Sequence, residues 1–312
     1  MERCSLPGVR PGGPREDWRN ARFHDREGCV FFWWPRKVRP LSPMARFGRF
    51  VLQERVKSGG MAEIWLARDE AHHHYALRVM HADLERQRAA RRRFRHGCEV
   101  LAQLQPHPFI VRYYEHGRWE GRHYLVMEYV EGDNLKERFA RHDPVLTENV
   151  AQLLLDMAAA LEHMHERGYM HLDFKPENVL VTAGASIRLV DFDIAQPIPP
   201  APRRLDRNPG TPAYMAPEQL ARQPLDQRVD IFAYGVTAYE LLTNQKPFRG
   251  STPDEILREQ QSPGRLRPPR ELNPDIPPGL ERILLRCLQP DPNRRYVWMS
   301  QLRHDLETVL YR

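Results

Sequence analysis

Short apolar runs alternate with polar residues between positions 49 and 80, and they predict the first part of the fold. The runs are rich in β-branched and aromatic residues, and they are interrupted by SGG at 58–60 and HHH at 72–74. Apolar runs bounded by turn residues are typical of antiparallel strands. We therefore expect strands joined by turns here. A solvated turn is the preferred interpretation of the three histidines, and a metal site is the alternative.

Helical spacing of apolar residues begins after this region. Phe94, Leu101 and Leu104 recur on one face of a predicted helix over 83–104, whose many arginines would form its solvated face. The pattern further predicts two strands and then two long amphipathic helices, at 110–115, 123–129, 148–167 and 227–243. A small β-rich lobe is thus expected to precede a larger helical lobe, an α+β architecture with two lobes.

The first residues of the chain have no hydrophobic periodicity. We expect residues 1–44 to be a disordered basic arm, or extra sequence ahead of a true start at Met44. A docking arm with aromatic anchors at 31–34 is a further alternative. The expected domains are the arm, a small lobe over 45–132 and a large lobe over 133–312.

Net charge and cysteine content reduce the number of functional classes to which the protein can belong. The net charge is +6, but residues 1–43 carry a surplus of four positive charges, so the rest of the chain is nearly balanced. This argues against a nucleic-acid partner for the whole protein. No apolar run approaches the roughly 18 residues of a membrane helix. Four scattered cysteines without metal-ligand spacing favour a reducing, cytoplasmic setting.

The stretch HLDFKPENVL at 171–180 concentrates residues suited to phosphate and metal chemistry. Asp173 can accept a proton, Lys175 can hold an anion and Asn178 can hold a metal ion. Pro176 restricts the backbone between them. The alternative is a solvated turn whose polar residues coincide by chance.

Five motifs in order resemble those of eukaryotic-type protein kinase domains, in particular those of bacterial Ser/Thr kinases. HLDFKPENVL resembles the catalytic loop HRDLKPEN, and DFD at 191–193 resembles DFG. GTPAYMAPE at 210–218, DIFAYG at 230–235 and DPNRRY at 291–296 resemble large-lobe segments of the same family. The resemblance covers residues 48–309 and implies the bilobal kinase fold with ATP as the phosphate donor.

The resemblance implies a role for each polar residue of the loop. Asp173 would accept the hydrogen bond of the substrate hydroxyl, and Lys175 would steady the transferred phosphate. Asn178 and Asp191 would hold Mg²⁺, with Mn²⁺ as the alternative, through hard oxygen ligands. Lys175 and Thr211 resemble the Ser/Thr branch of the family, and Glu218 with Arg295 would form a buried structural ion pair.

The nucleotide pocket is implied position by position in the same way. Met127 falls at the gatekeeper position, where the hinge between the lobes begins. The backbones of Glu128 and Val130 would meet adenine, and Asn134 would meet the ribose. The remaining ATP-binding positions are apolar or belong to the glycine loop and its neighbouring strand: Val56, Gly59, Gly60, Ile64, Ala76, Arg78 and Leu180.

The chain departs from the family pattern near the phosphates. Arg78 replaces the phosphate-binding lysine, and Gly97 falls where its helix glutamate partner belongs. The glycine loop reads KSGGMAE, so Lys57 and Ala62 stand at two glycine positions. Asp193 replaces the glycine of DFG, where it would add to metal binding or stiffen the loop. Leu172 replaces the arginine that often grips a phosphorylated activation loop.

These departures lead to specific expectations. Gly97 would leave Arg78 without an ion pair, so Arg78→Lys alone would not restore family-typical activity, while adding Gly97→Glu would help. Lys57 is a candidate for reaching the phosphates instead. Glu99 lies on nearly the opposite helix face from position 97 and cannot substitute.

Two functions from different classes remain open at this point. The first is an ATP-dependent Ser/Thr protein kinase of reduced activity, acting on a protein substrate. The second is a pseudokinase, a nucleotide-binding scaffold or regulatory partner of another protein. Transfer to a small molecule is less favoured, because GTPAYMAPE resembles protein-substrate kinases.

Overall fold

A computed structural model describes residues 41–205, 209–262 and 264–311. The expectations for the arm before residue 41 lie outside this range. The chain clusters into a main unit over 40–312 that contains both predicted lobes. The boundary between the lobes at residue 132 stays a prediction.

A six-stranded antiparallel sheet forms the small lobe and contains the strands expected between 49 and 80. Its order is β1-β2-β3-β4-β6-β5. The turns at SGG and HHH separate β2 from β3 and β3 from β4, which confirms the expected hairpins. The strands β1 to β6 are, in chain order, Arg46–Phe47, Phe50–Ser58, Ala62–Arg68, His74–Met80, Tyr113–Trp119 and Arg122–Glu128.

Helix α1, Arg88–Gln103, packs against this sheet through the apolar face seen in the sequence. Phe94 and Leu101 are buried, whereas Arg92 and Arg95 are exposed. The helix begins later than expected because Leu84–Arg86 form a separate 3-10 turn.

The strand expected at 110–115 is displaced in the structure and runs over Tyr113–Trp119. Ile110 instead forms a parallel bridge with Leu189, a residue of another sheet. The backbone N–H of Val111 also donates to the carbonyl of Leu189 at 3.1 Å. These residues therefore link the lobes rather than extend the six-stranded sheet.

The large lobe is helical with two small sheets of order β10-β9-β7 and β11-β8. The helix expected at 148–167 is confirmed as α4, Val150–Glu166, which the short helix α3, Pro144–Glu148, precedes. The helix expected at 227–243 is confirmed as α6, Arg228–Thr243. The helices α2 to α9 are, in chain order, Leu135–Ala140, Pro144–Glu148, Val150–Glu166, Pro217–Leu220, Arg228–Thr243, Pro253–Gln261, Pro278–Cys287 and Met299–Leu310. The strands β7 to β11 are Gly132–Asn134, Tyr169–Met170, Val179–Thr182, Ile187–Leu189 and Gln196–Pro197.

One continuous core crosses between the lobes. It includes Ala76 and Phe94 of the small lobe together with Leu154 and Tyr234 of the large lobe. Burying this apolar surface is the main favourable term in holding the lobes together. No helix in the described ranges combines the length and apolarity needed to cross a membrane.

The predicted buried ion pair of Glu218 and Arg295 is confirmed. The two guanidinium nitrogens lie 2.7 and 2.8 Å from the two carboxylate oxygens, and both side chains are almost fully buried. Arg295 also donates to the carbonyls of Gln289 and Pro290. Because this pair joins α5 to the segment before α9, it fixes the base of the large lobe.

Candidate active site

Asp230, at the start of α6, shapes the loop at 171–175 from beneath. Its carboxylate accepts the backbone N–H groups of His171 and Leu172 at 2.8 and 2.9 Å, and it lies 2.9 Å from a ring nitrogen of His165. Burial raises the pKa of Asp230, but His165, His171 and these hydrogen bonds lower it by more. An ionised, buried carboxylate thus holds Leu172 at a positive φ of 65°.

His171 supports the loop from the opposite side of the chain. The backbone N–H of Asp173 donates to Nδ1 of His171 at 3.2 Å, so Nδ1 is the unprotonated ring nitrogen. Nε2 then carries the proton and donates to the carbonyl of Val190 at 3.3 Å. The fully buried imidazole therefore links the loop to the strand that leads into Asp191.

Asp173, Lys175, Thr211 and Asn178 form one hydrogen-bonded network. Lys175 Nζ lies 2.7 Å from both Asp173 Oδ2 and Thr211 Oγ1, and the Thr211 hydroxyl donates to Asp173 Oδ1 at 2.9 Å. The amide of Asn178 donates to the backbone carbonyl of Asp173 at 2.9 Å. Residues 36 to 38 positions apart are thus brought together around one carboxylate.

Asn178 and Asp191 offer oxygen atoms that fit a hard divalent cation. The Asn178 amide nitrogen is occupied by Asp173, which leaves its oxygen as a donor for a metal ion. Asp191 remains 44% exposed. Burial raises its pKa, but Arg78 and His171 lower it by more, so the carboxylate is ionised. Asp191 also adopts a positive φ of 66°, a costly conformation for a residue other than glycine.

The described residues contain no cluster of three His, Cys, Asp or Glu side chains able to hold a metal unaided. Magnesium usually takes one or two protein oxygens, and phosphates and waters complete its shell. The donor set of Asn178 and Asp191 therefore fits a metal that arrives with a nucleotide.

Four of the predicted adenine-pocket positions form two cross-strand pairs, one in each lobe. Ala76 lies opposite Met127 in the ladder of β4 and β6, and Asn134 lies opposite Leu180 in that of β7 and β9. Ile64 packs against the core next to them. The residues predicted to line the pocket therefore come from two strand pairs, β4–β6 and β7–β9, and from β3.

In the predicted hinge between the lobes, one backbone N–H group is already hydrogen-bonded and another is not. The N–H of Glu128 donates to the carbonyl of Arg112 at 2.8 Å. The N–H of Val130 makes no hydrogen bond within the described part of the chain, so it is available to a ligand. The side chain of Asn134 instead caps α2 by accepting the N–H of Glu137 at 3.0 Å. A ribose contact by Asn134 would have to compete with this cap.

The glycine loop forms a tight exposed turn between β2 and β3. Gly59 donates its N–H to the carbonyl of Ala62 at 2.9 Å, and a ring nitrogen of His81 donates to the Gly59 carbonyl at 2.7 Å. A side chain at Gly60 would meet nothing within 4 Å. Val56 and Lys57 are both exposed, so contact of either with a nucleotide stays a prediction.

The expectation that Arg78 has no ion-pair partner is wrong. Its guanidinium forms two hydrogen bonds with the carboxylate of Asp193, of 2.7 and 2.6 Å. A Cβ atom at Gly97 would lie 2.4 Å from Asp193 Oδ1, so the glutamate proposed for position 97 has no space while Asp193 is present. Asp193 is also 4% exposed and both of its carboxylate oxygens are bound to Arg78, whereas a role of Asp193 in metal binding stays a prediction.

Leu172 occupies the arginine position of the family as part of the core. It is 5% exposed and belongs to a buried cluster with Met170, Ile194 and Tyr214. Backbone pairing also holds the segment that follows Asp191, because β11 pairs with β8. Apolar packing and strand pairing thus anchor the described part of this segment without a charged side chain at position 172.

This anchoring leads to a prediction on regulation. The sequence from Asp191 to Gly210 contains no Ser, Thr or Tyr, so this stretch offers no hydroxyl to phosphorylate. Phosphatase treatment of the purified protein is expected to leave its phosphotransfer rate unchanged, measured with the same acceptor before and after. Mass spectrometry of both samples would control for complete dephosphorylation. A large fall in rate would contradict the prediction and direct attention to Thr211.

Comparison with known proteins decides the family. A sequence profile for the protein kinase domain matches residues 50–306. The chain belongs to the protein kinase family. It is 31% identical over 276 residues to the serine/threonine-protein kinase PknB of Mycolicibacterium smegmatis. The aligned residues make up 86% of this chain and 44% of that protein.

Other relatives of this kinase domain carry similar names. PknB of Mycobacterium tuberculosis is 32% identical over 269 residues, covering 84% of this chain and 43% of that protein. A probable serine/threonine-protein kinase of Streptomyces coelicolor is 32% identical over 276 residues, covering 84% and 40%. The chain spans less than half of the length of the curated relatives it matches.

Motif matching in the sequence failed to find three supporting contacts of the site. They are the buried carboxylate of Asp230 under the loop, the His171 link to Val190 and the Arg78–Asp193 pair. The motif DIFAYG includes Asp230, so the sequence singled out this residue but did not predict its hydrogen bonds to the loop. For Arg78, the sequence did contain a signal. Relative to the family pattern, the chain lacks a carboxylate at position 97 and has an additional one at position 193.

Proposed function

We propose that this chain is an ATP-dependent protein kinase that transfers the γ-phosphate of ATP to Ser or Thr of a protein substrate. The carrying observation is the network in which Lys175 bridges Asp173 and Thr211, at 2.7 Å to each. It places a hydrogen-bond acceptor for the attacking hydroxyl next to a cation for the phosphate. Phosphoryl transfer depends mainly on such positioning and charge neutralisation.

The residues divide the chemistry between them. Asp173 accepts the hydrogen bond of the substrate hydroxyl and orients its oxygen towards the γ-phosphorus atom. Lys175 stabilises negative charge on the transferred group as the bond to the leaving diphosphate breaks. Asn178 and Asp191 would hold Mg²⁺, or Mn²⁺, which when bound neutralises the phosphates. The available N–H of Val130 supports adenine binding at the hinge.

A kinase assay tests the proposal directly. The purified chain is incubated with labelled ATP, Mg²⁺ or Mn²⁺ and a generic protein acceptor, and the phosphorylated amino acids are identified. We expect phosphoserine or phosphothreonine, and loss of the signal in Asp173→Asn. The absence of transfer with either metal would refute the kinase function, and phosphotyrosine would refute the substrate class.

The second candidate is a pseudokinase that binds nucleotide without transferring phosphate. It is favoured by the commitment of Arg78 to Asp193 and by Lys57 and Ala62 in the glycine loop. Nucleotide binding without phosphotransfer in the same preparation would support it, with a protein partner as the target of regulation. The cytoplasmic setting stays a prediction, and Cys98 and Cys287 are free thiols.

Nucleotide binding gives a separate prediction. ATP with Mg²⁺ should raise the thermal midpoint of the protein by several degrees, since ligand at 100 times its Kd stabilises by about 2.7 kcal/mol. Asp191→Ala should abolish this shift because it removes the carboxylate expected to bind the metal. Asp275→Ala, at an exposed position of the large lobe, is the matched control and should keep the shift. If Asp191→Ala also keeps it, the assigned metal ligand is wrong.

A further inference from the structure

Arg78 and Asp193 form a buried ion pair where the kinase family uses a lysine and a glutamate of the helix. Both oxygens of Asp193 face both terminal nitrogens of Arg78, and the two side chains are 4% and 14% exposed. This bidentate geometry needs the planar fork of arginine, because a lysine ammonium is a point charge. The identity of residue 78 is thereby explained by its partner.

Gly97 provides the space in which the carboxylate lies. A Cβ atom there would be 2.4 Å from Asp193 Oδ1 and 2.9 Å from its Cα, closer than carbon atoms approach in proteins. Glycine inside a helix costs stability relative to alanine, so its presence in the middle of α1 needs a reason. Close approach of the Asp193 backbone and carboxylate is that reason.

Helix α1 still packs against the segment that carries Asp193. The ring of Phe94 lies under the Arg78 guanidinium, 5.0 Å from its centroid to Cζ. A ring nitrogen of His96 donates to the carbonyl of Ala195 at 2.7 Å. The helix therefore contributes packing and one hydrogen bond, whereas the charge that neutralises Arg78 comes from Asp193.

We propose that Arg78, Asp193 and Gly97 form a relocated ion pair, in which Asp193 replaces the family's helix glutamate as the positioning residue for Arg78. The role of this pair in phosphate binding depends on the proposed kinase function. Asp193 uses two of the five N–H donors of Arg78, and the others make no hydrogen bond within the described residues. Those donors can bind ATP phosphates next to Asp191, whose Oδ1 lies 4.0 Å from Arg78.

Because of the relocation, formation of the ion pair depends on the position of the segment around residue 193 and not on a charged side chain of α1. In the family, the pair forms only when the helix is docked correctly. Here the pair joins β4 directly to the residue two positions after Asp191. Movement of the segment at 193 would break it, whereas no charged side chain of α1 is needed to keep it.

The decisive experiment is a double-mutant cycle between positions 97 and 193. Gly97→Glu alone is expected to clash with Asp193, and Asp193→Gly alone would leave Arg78 buried without a partner. Each should raise the KM for ATP by roughly 10- to 100-fold, the range for losing one or two charged hydrogen bonds. The double variant Gly97→Glu/Asp193→Gly should recover at least a factor of about ten, a non-additivity that marks direct contact.

Three further variants separate the causes. Asp193→Asn keeps the volume of the side chain but removes its charge, so it should weaken ATP binding without a steric clash. Gly97→Ala tests space alone: it should raise the KM for ATP while Asp193 is present, and it should cause no further increase when added to Asp193→Gly. Glu99→Gln, at an exposed position of α1, is the matched control and should leave the KM for ATP unchanged.

The outcomes separate this inference from the kinase function itself. If the wild-type chain transfers no phosphate, the same cycle is read from ATP affinity and from the thermal midpoint without nucleotide. Recovery in the double variant then still supports the relocated pair. Additive losses in both readouts, or wild-type behaviour of Gly97→Glu alone, would overturn it. An unchanged KM for the protein acceptor in the single variants would exclude a general structural defect.

Discussion

Replacement of Asp173 by asparagine is expected to lower the rate of phosphotransfer by about 10²–10⁴-fold, the usual contribution of a positioned acid or base. The substitution keeps the size of the side chain but removes the charge that the attacking hydroxyl and Lys175 both need. Lys175 would lose its ionic partner 2.7 Å away. The KM for ATP should change much less, because Asp173 is assigned to the acceptor and not to the nucleotide.

Single-turnover phosphotransfer measures this effect without interference from product release. Thr211→Ser is the matched control, since it keeps the hydroxyl that joins Lys175 and Asp173. It should retain most of the activity. A rate for Asp173→Asn close to that of the wild type would show that the attacking hydroxyl is activated elsewhere.

Replacement of Glu218 by alanine should lower the free energy of unfolding by about 3–5 kcal/mol, since removing one partner leaves a buried charge unpaired. Arg295 is fully buried and stacks on Phe232, 4.8 Å from its ring centroid, so it cannot turn to solvent without disturbing the core. Denaturant unfolding measures the loss.

An exposed ion pair provides the control for this stability experiment. Glu271 pairs with Arg267 at 3.6 Å, with more than half of each side chain exposed. Glu271→Ala should cost less than about 1 kcal/mol because water screens the pair. The double variant Glu218→Leu/Arg295→Met should recover part of the loss of Glu218→Ala, because two apolar residues leave no buried charge. Equal losses for Glu218→Ala and Glu271→Ala would contradict the assigned burial effect.

Contiguous patterns in the sequence were sufficient for the fold and for part of the site. The short apolar runs between 49 and 80 predicted antiparallel strands joined by turns, because turn residues bound them. HLDFKPENVL predicted a loop that carries Asp173, Lys175 and Asn178, and the structure brings these residues together. The Glu218–Arg295 pair was found in the same way, since both residues lie in segments that resemble family motifs.

Tertiary structure was needed wherever two distant residues compensate for each other. Arg78 and Asp193 are 115 positions apart, and each alone looks like the loss of a family residue. Gly97 looks like a weak point of a helix until the carboxylate beside it is seen. Likewise, Leu172 looked like a missing phosphate clamp, whereas the fold places it in the core.

The physical reason is that periodic patterns depend on separation along the chain, whereas ion pairs depend on separation in space. Amphipathic spacing and turn residues act within a few neighbours along the chain, so the sequence of this protein by itself determined its two lobes and the loop at 171–180. An ion pair depends on separation in space, to within a few tenths of an ångström for a bidentate contact. Only the folded chain decided that the carboxylate opposite Arg78 comes from Asp193, in the space left by Gly97.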